Sequence, residues 1–248
     1  MTNQEFSNEF DILYNNIMSN AAPGLDEYEK SVFLTKAQDE ILKNYFNPKG
    51  NKYTEGFDDS EKRQIDFSML IKYKSIKTIF ALIEGQLGDI TVSLPNDIFF
   101  ILNETVNVTR KTAYENGEIM QSNLELTVVP LKFNEYTRLM SKPYKKPLKW
   151  QAWRLLSSSG SGTNNYAELV IGTKDTFVSY NIRYIKRPRA IILTNLENGT
   201  LDNGKTKEQF CELDPILHPE ILQRAVELAK SAYIGDISSQ MQMGQRAE

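Results

Sequence analysis

The hydrophobic period of this chain changes twice, and that change limits its architecture more than any motif does. Up to about Ser75, and again after Leu196, apolar residues recur at spacings of three and four, the period of a helix face. Between them the period falls towards two, with threonine, valine, isoleucine and aromatic residues enriched, as strands prefer. One periodicity cannot serve the other element, because side chains repeat every 3.6 residues on a helix and every second residue on a strand. The pattern predicts an α+β fold in which N- and C-terminal helices form a helical part around a central β-rich insertion. The expected division is 1–74 together with 205–248 for the helical part and 75–204 for the insertion. With 248 residues the chain is long enough for one domain or two.

At the N-terminus, Phe6, Phe10, Leu13 and Ile17 form one stripe, broken at Ala22-Pro23-Gly24. A second helix opens on Asp26 to Glu29, where Asp26 can accept from the Glu29 backbone N–H while Glu29 reaches back, an aspartate version of the capping box. Tyr28, Val32, Leu34, Ala37, Ile41 and Tyr45 follow before Asn47-Pro48-Lys49-Gly50 ends it. Asp58 to Glu61 predicts a short third helix through Ile65, Met69 and Leu70. In the β block, strands are expected at Asp89–Ser93 and Phe99–Val108, separated by Leu94 to Asp97. A hairpin is expected from Val106–Tyr114 and Ile119–Leu131, because Asn116-Gly117 supplies the positive φ angles of a tight turn. A short helix at Asn134–Met140 and strands at Trp150–Leu156, Ala167–Gly172 and Val178–Lys186 complete the block. After a turn-rich stretch to Gly204, Pro219 opens a helix with Ile221, Leu222, Ala225, Leu228, Ala229 and Ala232 on one stripe. The tail from Gly235 has little to bury and is expected to be mobile alone.

The only histidine, His218, and the only cysteine, Cys211, could together form a base and a nucleophile. Their setting favours structure. Proline is favoured at the first helical position because the N–H it lacks would have no intrahelical partner there, so Pro219 opens the helix and makes His218 a cap. Cys211 reads as a small hydrophobe. The glycine-rich stretch Ser157 to Asn165 lacks the lysine of a phosphate-binding loop and reads as a hairpin loop. Adjacent acids at Asp26-Glu27, Asp39-Glu40 and Asp58-Asp59 diverge by about 100° on a helix and do not converge on a substrate. No catalytic group, cofactor site or metal-ligand spacing is expected. A single cysteine excludes an internal disulfide framework, and MTNQEFSNEF lacks the regions of a signal peptide, so a reducing interior is expected. No apolar run approaches the roughly 20 residues that span a bilayer.

Composition excludes a polycation: charged residues are 25% and the formal net charge is -3. Any nucleic-acid contact would have to be local. The stretch from Lys142 to Arg154 is the place for one. Lys142, Lys145, Lys146, Lys149 and Arg154 stand there with Tyr144, Trp150 and Trp153. Such a set can hold phosphates with its cations while rings stack, anchor a protein interface, or be an exposed basic loop before a strand whose tryptophans pack inwards. A second cluster, Arg183, Lys186, Arg187 and Arg189, carries the same alternatives.

Four stretches together resemble a known family: LDEYEKSVFLTKAQDEILKNYF, DDSEKRQIDFSMLI, LPNDIFFI and HPEILQRAVELAK. They are similar to the neck ring proteins of crAss-like phages, short-tailed phages of gut Bacteroidales. The resemblance covers both helical ends and the start of the β block. It implies a head-to-tail connector or adaptor without enzymatic activity, in which copies of the chain form a ring, dodecameric like the portals of such phages. Its implied partners are the portal protein, adjacent neck or tail rings and the genomic DNA in transit, with no membrane. It implies a place in the virion neck or tail after assembly in the host cytoplasm. The competing reading is a nucleic-acid-binding virion accessory protein that uses Lys142 to Arg154.

Overall fold

The computed structural model describes the chain apart from 18–23, 47–60, 80–86, 114–118, 159–164, 172–174, 197–198, 202–203 and 246–248. It is mixed α and β, with a seven-stranded sheet and several helices. Two compact units emerge: Met1–Leu70 with Pro188–Glu248, and Ile71–Arg187. These boundaries differ from the expected 74/75 and 204/205. At the first, Lys72 and Lys74 obscure an edge strand that begins at Ile71. At the second, the extended chain after Pro188 is bonded into the helical unit.

The sheet comprises β1 (Ile71–Ile76), β2 (Ile90–Ser93), β3 (Ile98–Ala113), β4 (Ile119–Pro130), β5 (Gln151–Ser158), β6 (Asn165–Val170) and β7 (Asp175–Lys186), in the order β1-β7-β3-β4-β5-β6-β2. β3 and β4 are antiparallel from Thr105↔Thr127 to Ala113↔Ile119. The expected Asn116-Gly117 turn lies outside the described residues. β5 and β6 are likewise antiparallel neighbours; the hairpin loop expected between them falls on residues 159–164, outside the described residues. β4 and β5 pair in parallel. A parallel pair demands a crossover, because the chain must return to the end from which it came. Residues 131–150 make that return, through α4 (Phe133–Met140) and the basic loop. Val106, Val108, Leu126, Val128, Tyr180 and Ile182 are among the buried residues of the sheet's core cluster.

In the helical unit, α1 (Asn3–Ile17) buries Phe6, Phe10 and Tyr14, each four residues from the last. Leu13, expected on that face, is exposed: the phenol ring, stacked 6.1 Å from Phe10, takes its place. α2 (Glu27–Phe46) starts with both capping bonds formed, Glu29 N–H to Asp26 Oδ1 at 2.7 Å and Asp26 N–H to Glu29 Oε2 at 3.1 Å. The break expected at Ala22-Pro23, the helix end at Asn47 to Gly50 and the helix start at Asp58 to Ser60 lie outside the described residues. α3 (Glu61–Asp66) leads to buried Phe67 and Leu70, whereas Ile65 and Met69, expected inside, are exposed.

The buried face of α2 holds more polar groups than its apolar spacing suggests: Lys30, Ser31 and Gln38 lie beside Leu34, Ala37, Ile41 and Leu42. Lys30 Nζ reaches Asp11 Oδ2 at 2.7 Å and Glu27 Oε1 at 3.0 Å, tying α2 to α1. Burial opposes its charge, yet these two carboxylates hold the ammonium pKa above its ordinary value. The other polar groups serve the extended segment 189–193, of which Ala190, Ile191, Ile192 and Leu193 are buried. Leu193 N–H donates to Ser31 Oγ at 3.1 Å and Ile191 N–H to Thr35 Oγ1 at 3.1 Å, while Gln38 Nε2 donates to Arg189 O at 2.9 Å. Four helical residues rise about 6 Å and two extended residues about 6.6 Å, so a helix stripe can read alternate residues of an extended chain. On its other edge Ile192 exchanges both backbone bonds with Gln209, and Asn3 Nδ2 donates to Ile192 O at 3.0 Å. Gly204, at φ 95°, makes the turn between bridged Leu201 and Lys205.

α5 (His218–Gln245) packs against α1 and α2. Ile221, Leu222, Ala225, Val226 and Ala229 are buried, so the stripe extends to Val226 on one flank, while Leu228 on the other is only half-buried. The helix runs through the tail expected to be mobile, to Gln245. Once a helix is nucleated, each added residue costs little, and no proline interrupts this stretch. The cap differs too: Asp214 Oδ1 accepts from Ile216 N–H at 2.9 Å, which starts a short 3₁₀ turn, and His218 is instead a buried helical residue. The Met1 ammonium lies 2.7 Å from His218 Nδ1. An ammonium only donates, so Nδ1 accepts, and Nε2 carries the proton towards Leu213 O at 3.1 Å. The ring also lies 5.1 Å from that of Phe6.

Two outcomes follow for stability. Ser31→Ala leaves the Leu193 N–H buried without an acceptor and costs about 1–3 kcal/mol in urea unfolding, whereas Ser31→Thr keeps an acceptor and costs less. Burial and the nearby ammonium hold the His218 pKa below its ordinary 6.5. The unfolded chain therefore binds a proton that the folded one refuses, and His218 costs stability as pH falls below that value. His218→Gln, measured from pH 7 to 5, should reduce this loss; a slope identical to wild type would disprove the assignment.

Candidate interaction surface

The stretch from Lys142 to Arg154 is divided by the fold. Lys142, Lys145, Lys146 and Lys149 are exposed in the crossover loop, with Tyr144 at 99% and Trp150 at 62% exposure. Trp153 and Arg154 are in β5 and buried, at 5% and 7%. Trp153 packs edge-on against Tyr136 of α4, ring centroids 6.5 Å apart. The alternative of a basic loop leading to a strand with an inward tryptophan thus describes Trp153 but not Trp150.

The loop is tied at its base. Lys142 N–H donates to Leu139 O at 3.1 Å, and Lys145 N–H to Lys142 O at 3.0 Å. Arg110 on β3 pairs through Nε with Asp175 Oδ1 at 2.6 Å and through Nη2 with Asp175 Oδ2 at 2.7 Å. The same Nη2 donates to Lys149 O at 2.8 Å, so the end of the loop is fastened to the sheet by a fork of charge-assisted bonds. Thr127 N–H donates to Trp150 O at 3.0 Å. Pro143 and Pro147 further limit the backbone. Four cations and the apolar groups Tyr144, Leu148 and Trp150 therefore stand outwards on a held frame. Such a surface suits an acidic partner with apolar contacts or a phosphate backbone.

The second basic cluster is dispersed between the two units. Arg183 is exposed on β7, while Arg189 in the helical unit lies 3.5 Å from Glu212. The expected absence of a thiol and imidazole pair also has a geometric account. Cys211 Sγ points to Gln38 Oε1 at 3.6 Å, and burial pushes its thiol up to about 11, away from the reactive thiolate. His218 spends both ring nitrogens on Met1 and Leu213. Among the described residues, no group of three or more histidine, cysteine, aspartate or glutamate side chains could hold a metal ion. No described helix is long and apolar enough to cross a membrane.

The family model for phage tail ring protein 3/4 matches residues 1–241. The chain belongs to that family. It is 51% identical over 254 aligned residues to Ring protein 4/5 of Bacteroides phage crAss001, covering all of both chains. It is 33% identical over 231 residues to Ring protein 3 of the same phage, covering 92% of this chain and 95% of the relative. It is a crAss-like phage ring protein and a structural component of the virion. The basic loop of this ring protein lies outside the four stretches that carry the family resemblance. Its frame was not legible either, because Arg110, Asp175 and Lys149 are far apart in the chain.

Charge reversal isolates the loop from the fold. The triple variant Lys145→Glu, Lys146→Glu and Lys149→Glu should change stability by no more than about 0.5 kcal/mol per site, since all three side chains are exposed. It should also abolish whatever low-salt association the loop mediates, read by co-sedimentation with other ring proteins of the phage tail and by anisotropy with duplex DNA.

Proposed function

We propose that this ring protein is a non-catalytic subunit of the head-to-tail connector. Copies close into a ring, dodecameric like the portal, that surrounds the DNA exit channel and joins the portal to the next tail component. The observation that carries this reading is the near full-length match to Ring protein 4/5 and to Ring protein 3 of one phage. One subunit design that serves differently numbered rings suits a stack in which each ring docks on another of related shape. In this reading the N- and C-terminal helices build the helical adaptor part and the central β-rich insertion reaches neighbouring rings. The ring assembles in the host cytoplasm, takes no cofactor and stays in the virion neck or tail. The net charge of -3 suits a conduit that should not grip passing phosphates.

The second reading is a nucleic-acid-binding accessory protein, favoured by the exposed Lys142, Lys145, Lys146 and Lys149 beside Trp150. It requires duplex binding that weakens steeply with salt.

Light scattering of the purified chain, alone and with the phage portal, tests the connector. The expected result is a portal-dependent complex with about one copy per portal subunit. A monomer that ignores the portal would reject it.

A further inference from the structure

We propose that the basic loop of one copy docks on the outer face of α1 in a second copy. This rests on the ring reading and names the contact between its copies.

Formal charge is segregated between the two units. Of the 29 lysines and arginines and 32 aspartates and glutamates in the chain, residues 71–187 hold 16 and 10, which makes the sheet unit +6. The helical unit keeps the other 13 and 22 and is -9. The net charge of -3 conceals this division. A copy therefore offers another of its own kind one attractive pairing, sheet unit on helical unit, and two repulsive ones.

Each unit also carries an exposed face on which charge surrounds apolar groups. On the sheet unit it is the loop, with Lys145, Lys146 and Lys149 around Tyr144, Trp150 and Leu148, the last 65% exposed. On the helical unit it is α1. This helix opens on a capping box: Thr2 N–H donates to Glu5 Oε2 at 2.7 Å and Glu5 N–H to Thr2 Oγ1 at 3.3 Å. Phe6, Phe10 and Tyr14 turn inwards, so Glu5, Glu9 and Ile12, at spacings of four and three, share the opposite side with Asn8. Ile12 is 58% exposed, and Leu13 on its flank is exposed too. Exposed apolar groups rimmed by charge mark a contact surface, and these two rims have opposite sign.

Both faces are held before they meet. Arg110 and Asp175 fasten the end of the loop and the buried rings fix α1, so docking orders little that was free. The ammonium groups pair with Glu5 and Glu9 while Leu148 and Trp150 cover Ile12 and Leu13. Duplex DNA would match the lysines but offers Leu148 no such cover. A two-fold contact would set loop against loop or α1 against α1, like charge on like. Loop on α1 is head-to-tail instead, and it leaves each copy a free loop and a free α1, so the contact repeats until the ring closes.

The test uses the full chain at low salt, with and without the portal, under conditions where wild type forms its ring. One variant reverses the loop, with Lys145→Glu, Lys146→Glu and Lys149→Glu. The other reverses α1, with Asn8→Lys and Glu9→Lys, which spares the Glu5 cap. Each alone should run at monomer mass with the circular dichroism and thermal midpoint of wild type, because its loop and its α1 now carry like charge. Mixed one to one they should recover the ring, since every loop again meets an α1 of opposite sign. A ring of wild-type mass from either variant alone would overturn the docking, as would a mixture that stays monomeric or a loop reversal whose one effect is lost duplex binding. Carbodiimide coupling, which joins lysine to carboxylate without a spacer, needs no variant. In wild-type rings assembled from isotopically labelled and unlabelled copies, it should link loop lysines of one copy to Glu5 or Glu9 of another. Loop couplings confined to one chain, or reaching only another tail protein, would overturn the proposal. Wild type that stays monomeric with and without the portal sinks the ring reading itself, and does so before any variant is made.

Discussion

The helical unit depends on satisfying one buried extended segment that has no sheet to join. The chain leaves β7 at Lys186, passes Pro188 and enters as residues 189–193, whose backbone donors and acceptors must be matched away from water. A helix cannot offer its own backbone for this, because its N–H and C=O groups are spent within it. α2 offers side chains instead. Ser31, Thr35 and Gln38 take one edge of the segment, and Asn3 and Gln209 take the other. The polar stripe on α2 is therefore as much a part of the interior as Leu34 or Ile41. Because the segment touches α2, the N-terminus of α1 and the chain at Gln209, the same bonds gather parts that are distant in sequence.

The sheet unit is governed by a different constraint, the parallel pairing of β4 with β5. It obliges residues 131–150 to cross back along the sheet, and the basic loop is the last part of that crossing. Arg110 and Asp175 fasten its end, which leaves its lysines and Tyr144 outwards. The exposed surface thus follows from a choice of strand partner.

Much of this was legible where the physics is local. The capping box at Asp26 and Glu29 joins residues three apart, and both bonds form. The β3–β4 hairpin likewise needs only alternation and a turn. Misses arose where a distant partner decides. Tyr14 displaced Leu13 because both satisfy helical spacing, and only the packing selects between them. Ser31 and Gln38 look like surface residues until an extended chain lies against them. His218 reads as a cap by its proline neighbour, but Met1, 217 residues away, makes it a buried acceptor.

The chain alone determined the kinds of element and their order, since hydrophobic period, capping and turn chemistry act over a few residues. Its family was also legible, because the motifs at its ends are contiguous stretches of sequence. Tertiary structure decided which strands are neighbours, which polar groups are interior and which lysines face out. Those choices depend on desolvating groups scores of residues apart, and a donor's need for an acceptor acquires an address only when the chain has folded around it.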